Sequence, residues 1–193
     1  MKTSWIVIVV AVVVVFLGIL SFNNIKSQGN AVTTAWANVE SVYQTRYDKI
    51  PQLVEVIKGH MKYEAQTLDA VISARSNAMS VKITPEVLKD PEALKAFQET
   101  QNQYTQALSK LLMLKEAYPE LKTYTQTAKL MDEIAGVENR LNVARQRYNE
   151  EVKLYNNAGM TFPGVLFAGM AGFEIKATFS ATQGANLAPN IKF

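Results

Sequence analysis

The chain has no cysteine among its 193 residues, and that absence excludes disulfide staples, thiolate nucleophiles and cysteine-based zinc sites together. Its fold must hold by packing alone. Histidine occurs once, at His60, so a metal site would have to be built almost entirely from carboxylates. His60 and Glu64 stand four apart, a spacing that can reach one metal ion, but two ligands fall short of the three or four that zinc takes. Charge of one sign is never concentrated: 20 basic and 17 acidic residues give a formal charge of +3 and are spread along the sequence. Nucleic-acid binding leaves a basic stripe, and none is present. A glycine-rich phosphate loop and a GxSxG turn are missing as well, and strand patterning is nearly absent before the tail. The chain is therefore read as a non-enzyme that uses no cofactor, no metal and no nucleic acid.

What is present begins with residues 5–22, WIVIVVAVVVVFLGILSF, an uncharged run broken only by a serine near its end. At 1.5 Å per residue these roughly 18 residues span about 27 Å, close to a hydrocarbon core of about 30 Å. The segment is expected to be a single-pass anchor, with Trp5, Ile6, Val10, Val14, Phe16, Leu20 and Phe22 as its lipid-facing residues. A cleaved signal peptide shares the basic start and apolar core, but its core is usually shorter, about 7 to 15 residues, and is followed closely by a small-residue cleavage site. Here the nearest such pattern, Ser27-Gln28-Gly29, comes after Lys26 and lies well past the core. Lys2 and the terminal amine against Lys26 alone favour an N-terminus inside and the bulk of the chain outside the cytoplasm.

Beyond the anchor the apolar residues recur at steps of three and four. Val32, Trp36, Val39, Tyr43, Ile50, Leu53, Ile57, Met61, Leu68, Val71 and Met79 form one stripe, which would run about 70 Å as a single helix. Pro51 interrupts it and predicts a kink near Asp48, or a helix end with immediate restart. Asp90-Pro91-Glu92 supplies an N-cap, a proline at the first helical position and an early acid. A second helix runs from there through Leu94, Phe97, Tyr104, Leu108, Leu111 and Leu112 towards Pro119. A third carries Leu130, Ile134, Val137, Leu141, Ala144, Tyr148, Val152 and Tyr155 on one face and Asp132, Arg140, Arg147 and Lys153 on the other. Long amphipathic helices joined by short turns bury their stripes against one another. The expected fold is all-α: an N-terminal transmembrane helix, then an elongated antiparallel up-down bundle of three long helices with a short C-terminal apolar segment. In residue numbers this divides the chain into an anchor with short flanks (1–25), the bundle (26–158), an apolar glycine-rich segment (159–176) and an extended tail (177–193).

Residues 160–173 carry no charge and are rich in glycine, but they are too few to cross a bilayer. They can close one end of the bundle, or they can place Phe162, Leu166, Phe167, Met170 and Phe173 against lipid or a second subunit, Gly169 and Gly172 allowing close approach. Five charges, Arg46, Glu64, Arg75, Glu138 and Arg145, fall on or beside the buried stripes. Such charges either snorkel to the edge or pair between helices and fix register. The pairing expected is Arg75 or Arg145 with Glu64 or Glu138.

The stretch Arg46-Tyr47-Asp48-Lys49-Ile50-Pro51-Gln52-Leu53, continued by Val54-Glu55-Val56-Ile57-Lys58-Gly59 and by Glu64, Leu68 and Ala74-Arg75, resembles the first half of a LemA family protein. Glu138-Asn139-Arg140, Ala144-Arg145, Tyr148-Asn149, Val152 and Tyr155-Asn156 are similar to that family's last long helix. Phe162-Pro163, Ala168-Gly169, Gly172-Phe173, Ala188-Pro189 and the terminal Phe193 fit the family's C-terminal segment. The tail departs from the pattern in lacking acids. The resemblance implies a bacterial, membrane-anchored antiparallel bundle with roles in the cell envelope or in internal membranes, and it brings no enzyme activity. Two functions are compatible with it. One is a scaffold that homo-oligomerises or holds another envelope protein near the bilayer. The other is a module that binds lipid or an apolar ligand beneath residues 160–173.

Overall fold

The computed structural model describes residues 2–60, 65–81, 84–118 and 125–180. Four helices hold most of them: α1 (Lys2–His60), α2 (Ala65–Ser80), α3 (Pro91–Ala117) and α4 (Thr125–Met160). Short 3-10 turns occur at Pro85–Leu88 and Gly164–Leu166, and no strand occurs among the described residues. The fold is the all-helical antiparallel arrangement expected from the stripes. Met61, Glu64, Pro119, Thr123 and the tail from residue 181 lie outside the described residues, as does the side chain of His60.

The helices alternate in direction. Lys49, Arg46 and Tyr43 of α1 meet Glu133, Glu138 and Arg145 of α4 in turn, so these two run antiparallel. Tyr47 of α1 touches Ala78 and Arg75 of α2, residues well back from the end of α1 and well past the start of α2, so these two helices run antiparallel. Ala78 in turn meets Gln101 of α3, while Thr67 and Ala70 face Gln106 and Lys110 at the other end. The result is an up-down-up-down bundle in which α1 packs mainly on α4 and α2 on α3. α3 starts as its sequence dictates: the Asp90 side chain accepts from the N–H groups of Glu92 (2.9 Å) and Ala93 (3.2 Å), with Pro91 at the first helical position.

Two expectations are corrected. The stripe from Val32 to Met79 is not one kinked helix. α1 continues through Pro51, and the first long segment divides instead after His60. Proline removes the N–H that would bond the carbonyl four residues earlier, here that of Tyr47. That carbonyl accepts the Arg75 Nε–H at 3.1 Å, while Pro51 itself faces outward. In this way α2 supplies the donor that Pro51 lacks. In α2 the phase restarts at Leu68, Val71, Arg75 and Ala78, so Ala78 is buried and Met79 is exposed.

α1 is 59 residues long, about 88 Å at 1.5 Å per residue. Its first part is long and apolar enough to cross a membrane. Side chains from Trp5 to Phe16, and again at Ile19 and Leu20, project outward. Burial begins at Ser21 and Ile25, then follows Val32, Trp36, Val39, Tyr43, Ile50, Leu53 and Ile57. The same helix therefore serves as apolar rod and as bundle core, without a break between them.

A buried polar layer and a C-terminal strap form the candidate functional site

Half-way along the bundle, polar side chains from three helices and a backbone carbonyl from the fourth replace the apolar stripe. Arg46 of α1 has no exposed surface. Its Nε lies 2.8 Å from Glu138 Oε1 of α4, and neither atom has a hydrogen-bond partner among the described residues, so charge attraction holds them together. Arg46 Nη2 donates to Thr105 Oγ1 at 2.7 Å and Nη1 to Gln101 Oε1 at 3.4 Å, both on α3. The guanidinium lies over the Tyr104 ring, 4.4 Å from its centroid. Gln101 Nε2 donates to the Tyr47 hydroxyl (2.7 Å) and to the Ala78 carbonyl (3.2 Å). Thus α1, α2, α3 and α4 each contribute to one polar layer. Burial pulls Arg46 below the ordinary guanidinium value, with Glu138 opposing it, and pushes the Tyr104 hydroxyl above its usual range.

The register charges do not pair as expected. Glu138 is held by Arg46, not by Arg75 or Arg145. Arg145 instead donates to the Tyr43 hydroxyl from Nε at 3.0 Å and also from Nη2, and its guanidinium stands 5.1 Å from the Phe179 ring centroid. Arg75 serves the Tyr47 carbonyl freed by Pro51. Each long cation takes the acceptor nearest its own level. Arg145 lies about two helical turns beyond Glu138 on α4, where the Tyr43 phenol is the closer partner. Glu64 lies outside the described residues.

After α4 the chain makes an elbow over 161–172 and then returns along the bundle as an extended strap to residue 180. Gly164 and Gly172 make the elbow possible. A methyl group on Gly164 would lie 1.8 Å from the Ala158 carbonyl oxygen, and Gly172 adopts φ +64°. The strap is held by side-chain amides that mimic a neighbouring strand. Asn156 donates to the Lys176 carbonyl (2.9 Å) and accepts the Lys176 N–H (3.0 Å). Asn149 does the same for Phe179, at 2.9 Å each way. Gln98 of α3 clamps Ser180 in the same manner, and the Tyr148 hydroxyl donates to the Ala177 carbonyl at 3.0 Å. Phe179 is thereby pressed into a buried aromatic cluster with Trp36 and Tyr148.

Of the candidate contact residues at the elbow, Phe162, Leu166 and Met170 are exposed. Phe167 is half-buried beside Gly18 of α1, and Phe173 packs on Tyr155 with ring centroids 5.0 Å apart. The segment closes directly on α4 and α1. Sequence reasoning misses Gln98, Gln101 and Thr105. The clue for Gln101 is available, since the α3 stripe steps from Phe97 to Tyr104 and leaves slot 101 to a glutamine. Among the described residues no group of three or more His, Asp or Glu could hold a metal ion. Every polar side chain in the layer meets another protein group except the Tyr104 hydroxyl, an arrangement that fixes helices relative to one another.

No curated protein matches the chain. The LemA family model matches residues 35–193, which takes in the layer, the elbow and the strap together. With a match over most of its length, the chain belongs to the LemA family.

Proposed function

We propose that the protein is a non-enzymatic scaffold of the bacterial cell envelope, held by its N-terminal helix and self-associating in the plane of the membrane. The observation that carries this reading is the unbroken run of α1 from apolar rod to bundle core. A helix without a hinge transmits the position and tilt of the anchor directly to the bundle, which suits a spacer better than a tethered, freely rotating domain. Its polar layer is consumed in structural contacts, as a scaffold requires, and presents no paired acid and base to a cleft among the described residues. The charge balance around the anchor favours the extracytoplasmic side for the bundle.

Two features favour homo-oligomers. Anchoring confines copies to two dimensions and raises their effective concentration. A surface groove of about 940 Å³ runs between α1 and α4, lined by Ala31, Thr34, Asn38 and Val42 on one side and Val143 and Arg147 on the other, a shape that accepts a ridge of side chains from a neighbouring helix. Native mass spectrometry of the full chain released from lipid nanodiscs tests the reading. Oligomers that persist as the protein-to-lipid ratio falls are expected, and monomers alone at high loading would overturn it.

A further inference from the structure

We propose that the elbow over 161–172 is a second membrane contact, seated in the lipid leaflet beside the anchor; this rests on the anchored reading above. The decisive observation is one of level. A methyl group placed on Gly18 would come within 3.0 Å of the Phe167 ring, so the elbow stands against α1 about one turn inside the apolar run that ends at Phe22. Lipid that surrounds residues 5–22 reaches the elbow as well. Were the bilayer to stop short of it, only residues 5–17 would remain immersed, about 20 Å of helix against a core of about 30 Å.

The surface chemistry of the elbow agrees with that depth. Ala171 and Gly164 face inward and are buried, while Phe162 (75 % exposed), Leu166 (68 %) and Met170 (80 %) point away from the helices, as openly as Phe16 on the anchor (60 %). No charged residue occurs from Met160 to Phe173. Charge returns immediately beyond this level. Lys26 sits one turn past the end of the apolar run, with its ammonium 5.6 Å from the Phe22 ring, and Glu174 and Lys176 open the strap. An apolar shelf bordered by charged residues of both signs matches the boundary between acyl chains and headgroups. Two contacts, rod and shelf, fix the rotation of the bundle about the anchor axis as well as its height, which one helix cannot do.

Because the chain has no cysteine, single-cysteine variants can each report one position. Met170→Cys, Leu166→Cys, Val10→Cys and Met113→Cys, carrying the fluorophore NBD, are reconstituted as full chains in phosphatidylcholine and phosphatidylglycerol vesicles and exposed in turn to nitroxide-labelled lipid and to aqueous iodide. The expected result is quenching by nitroxide lipid at 170, 166 and 10, with iodide reaching only 113. Position 10 quenched by lipid while 166 and 170 answer to iodide would overturn the shelf and leave the anchor standing. Protection of 166 and 170 from both quenchers would show a second copy covering the shelf, and would overturn the lipid contact. Lipid quenching absent at 10 would remove the anchored reading, and the shelf with it. Leu166 repeats the measurement should the Met170 variant misfold.

Discussion

At the scale of single residues, Pro51 and Arg75 form a pair that neither residue explains alone. Proline orphans the Tyr47 carbonyl, and Arg75 reaches across from α2 to occupy it. Arg75→Met should therefore cost about 1.5–3 kcal/mol in the natural background, the range for a charge-assisted hydrogen bond. In a Pro51→Ala background the restored backbone N–H takes the carbonyl, and the same change should cost under about 1 kcal/mol. Denaturant unfolding of the four combinations measures the difference directly. Arg46 carries more weight because it is fully buried and serves three partners. Arg46→Met takes the counter-charge from Glu138 and a donor from each of Gln101 and Thr105, and a loss of about 3 kcal/mol is expected, the lower end for a broken buried pair since the Glu138 side chain keeps 21 % exposure. Glu138→Gln should cost as much or more, because it leaves the enclosed cation without a counter-charge. Equal stability of Arg46→Met and the parent protein would show that the layer adds no register energy.

At the scale of elements, the strap distinguishes this bundle from a simple packing of stripes. It buries Phe179 and ties Lys176, Phe179 and Ser180 to α4 and α3 through amide side chains. Asn149→Ala removes two hydrogen bonds at once, so the Phe179 amide should exchange with deuterium roughly tenfold or more faster, the consequence of losing about 1.4 kcal/mol or more of local protection. Asn149→Asp should not rescue it, since a carboxylate can accept the Phe179 N–H but sets a second acceptor against the Phe179 carbonyl. Unchanged exchange in both variants would mean that the Asn149 clamp adds nothing to the hold on Phe179. The three-four periodicity makes the helices and their buried faces legible in the sequence, and Asp90-Pro91 marks the start of α3. The end of α1 at His60 is less visible than Pro51, because a proline advertises a break whether or not a neighbour repairs it. The strap is illegible for a different reason. Its partners, Gln98, Asn149 and Asn156, are polar residues on helical faces, and nothing in a one-dimensional pattern separates an amide that clamps a distant backbone from one that faces water. The periodicity does set Arg46, Arg75, Glu138 and Arg145 at the stripe, but which one meets which depends on level across the bundle.

At the scale of the whole molecule, one helix sets the geometry. α1 gives the apolar rod long enough to cross a membrane, the spine for α4, the base for the elbow and the arginine at the centre of the polar layer. Continuity across residues 22–31 is what makes the protein a rigid rod with its bundle attached rather than a bundle on a leash. Hydrophobic burial along the α1 stripe, about 1.5–3 kcal/mol for each fully buried large side chain, holds the distal part straight against α4. Near the apolar run the cover is thinner, with Ser21 and Ile25 buried and Tyr155 against Gly29. The most direct test is a pulsed electron-electron distance between nitroxides on Val14→Cys and Ser41→Cys, both outward-facing, in the full chain in lipid vesicles. An unbroken helix predicts one narrow distribution near about 40 Å, from roughly 27 steps of 1.5 Å; a broad distribution, or one centred well below that value, would contradict it.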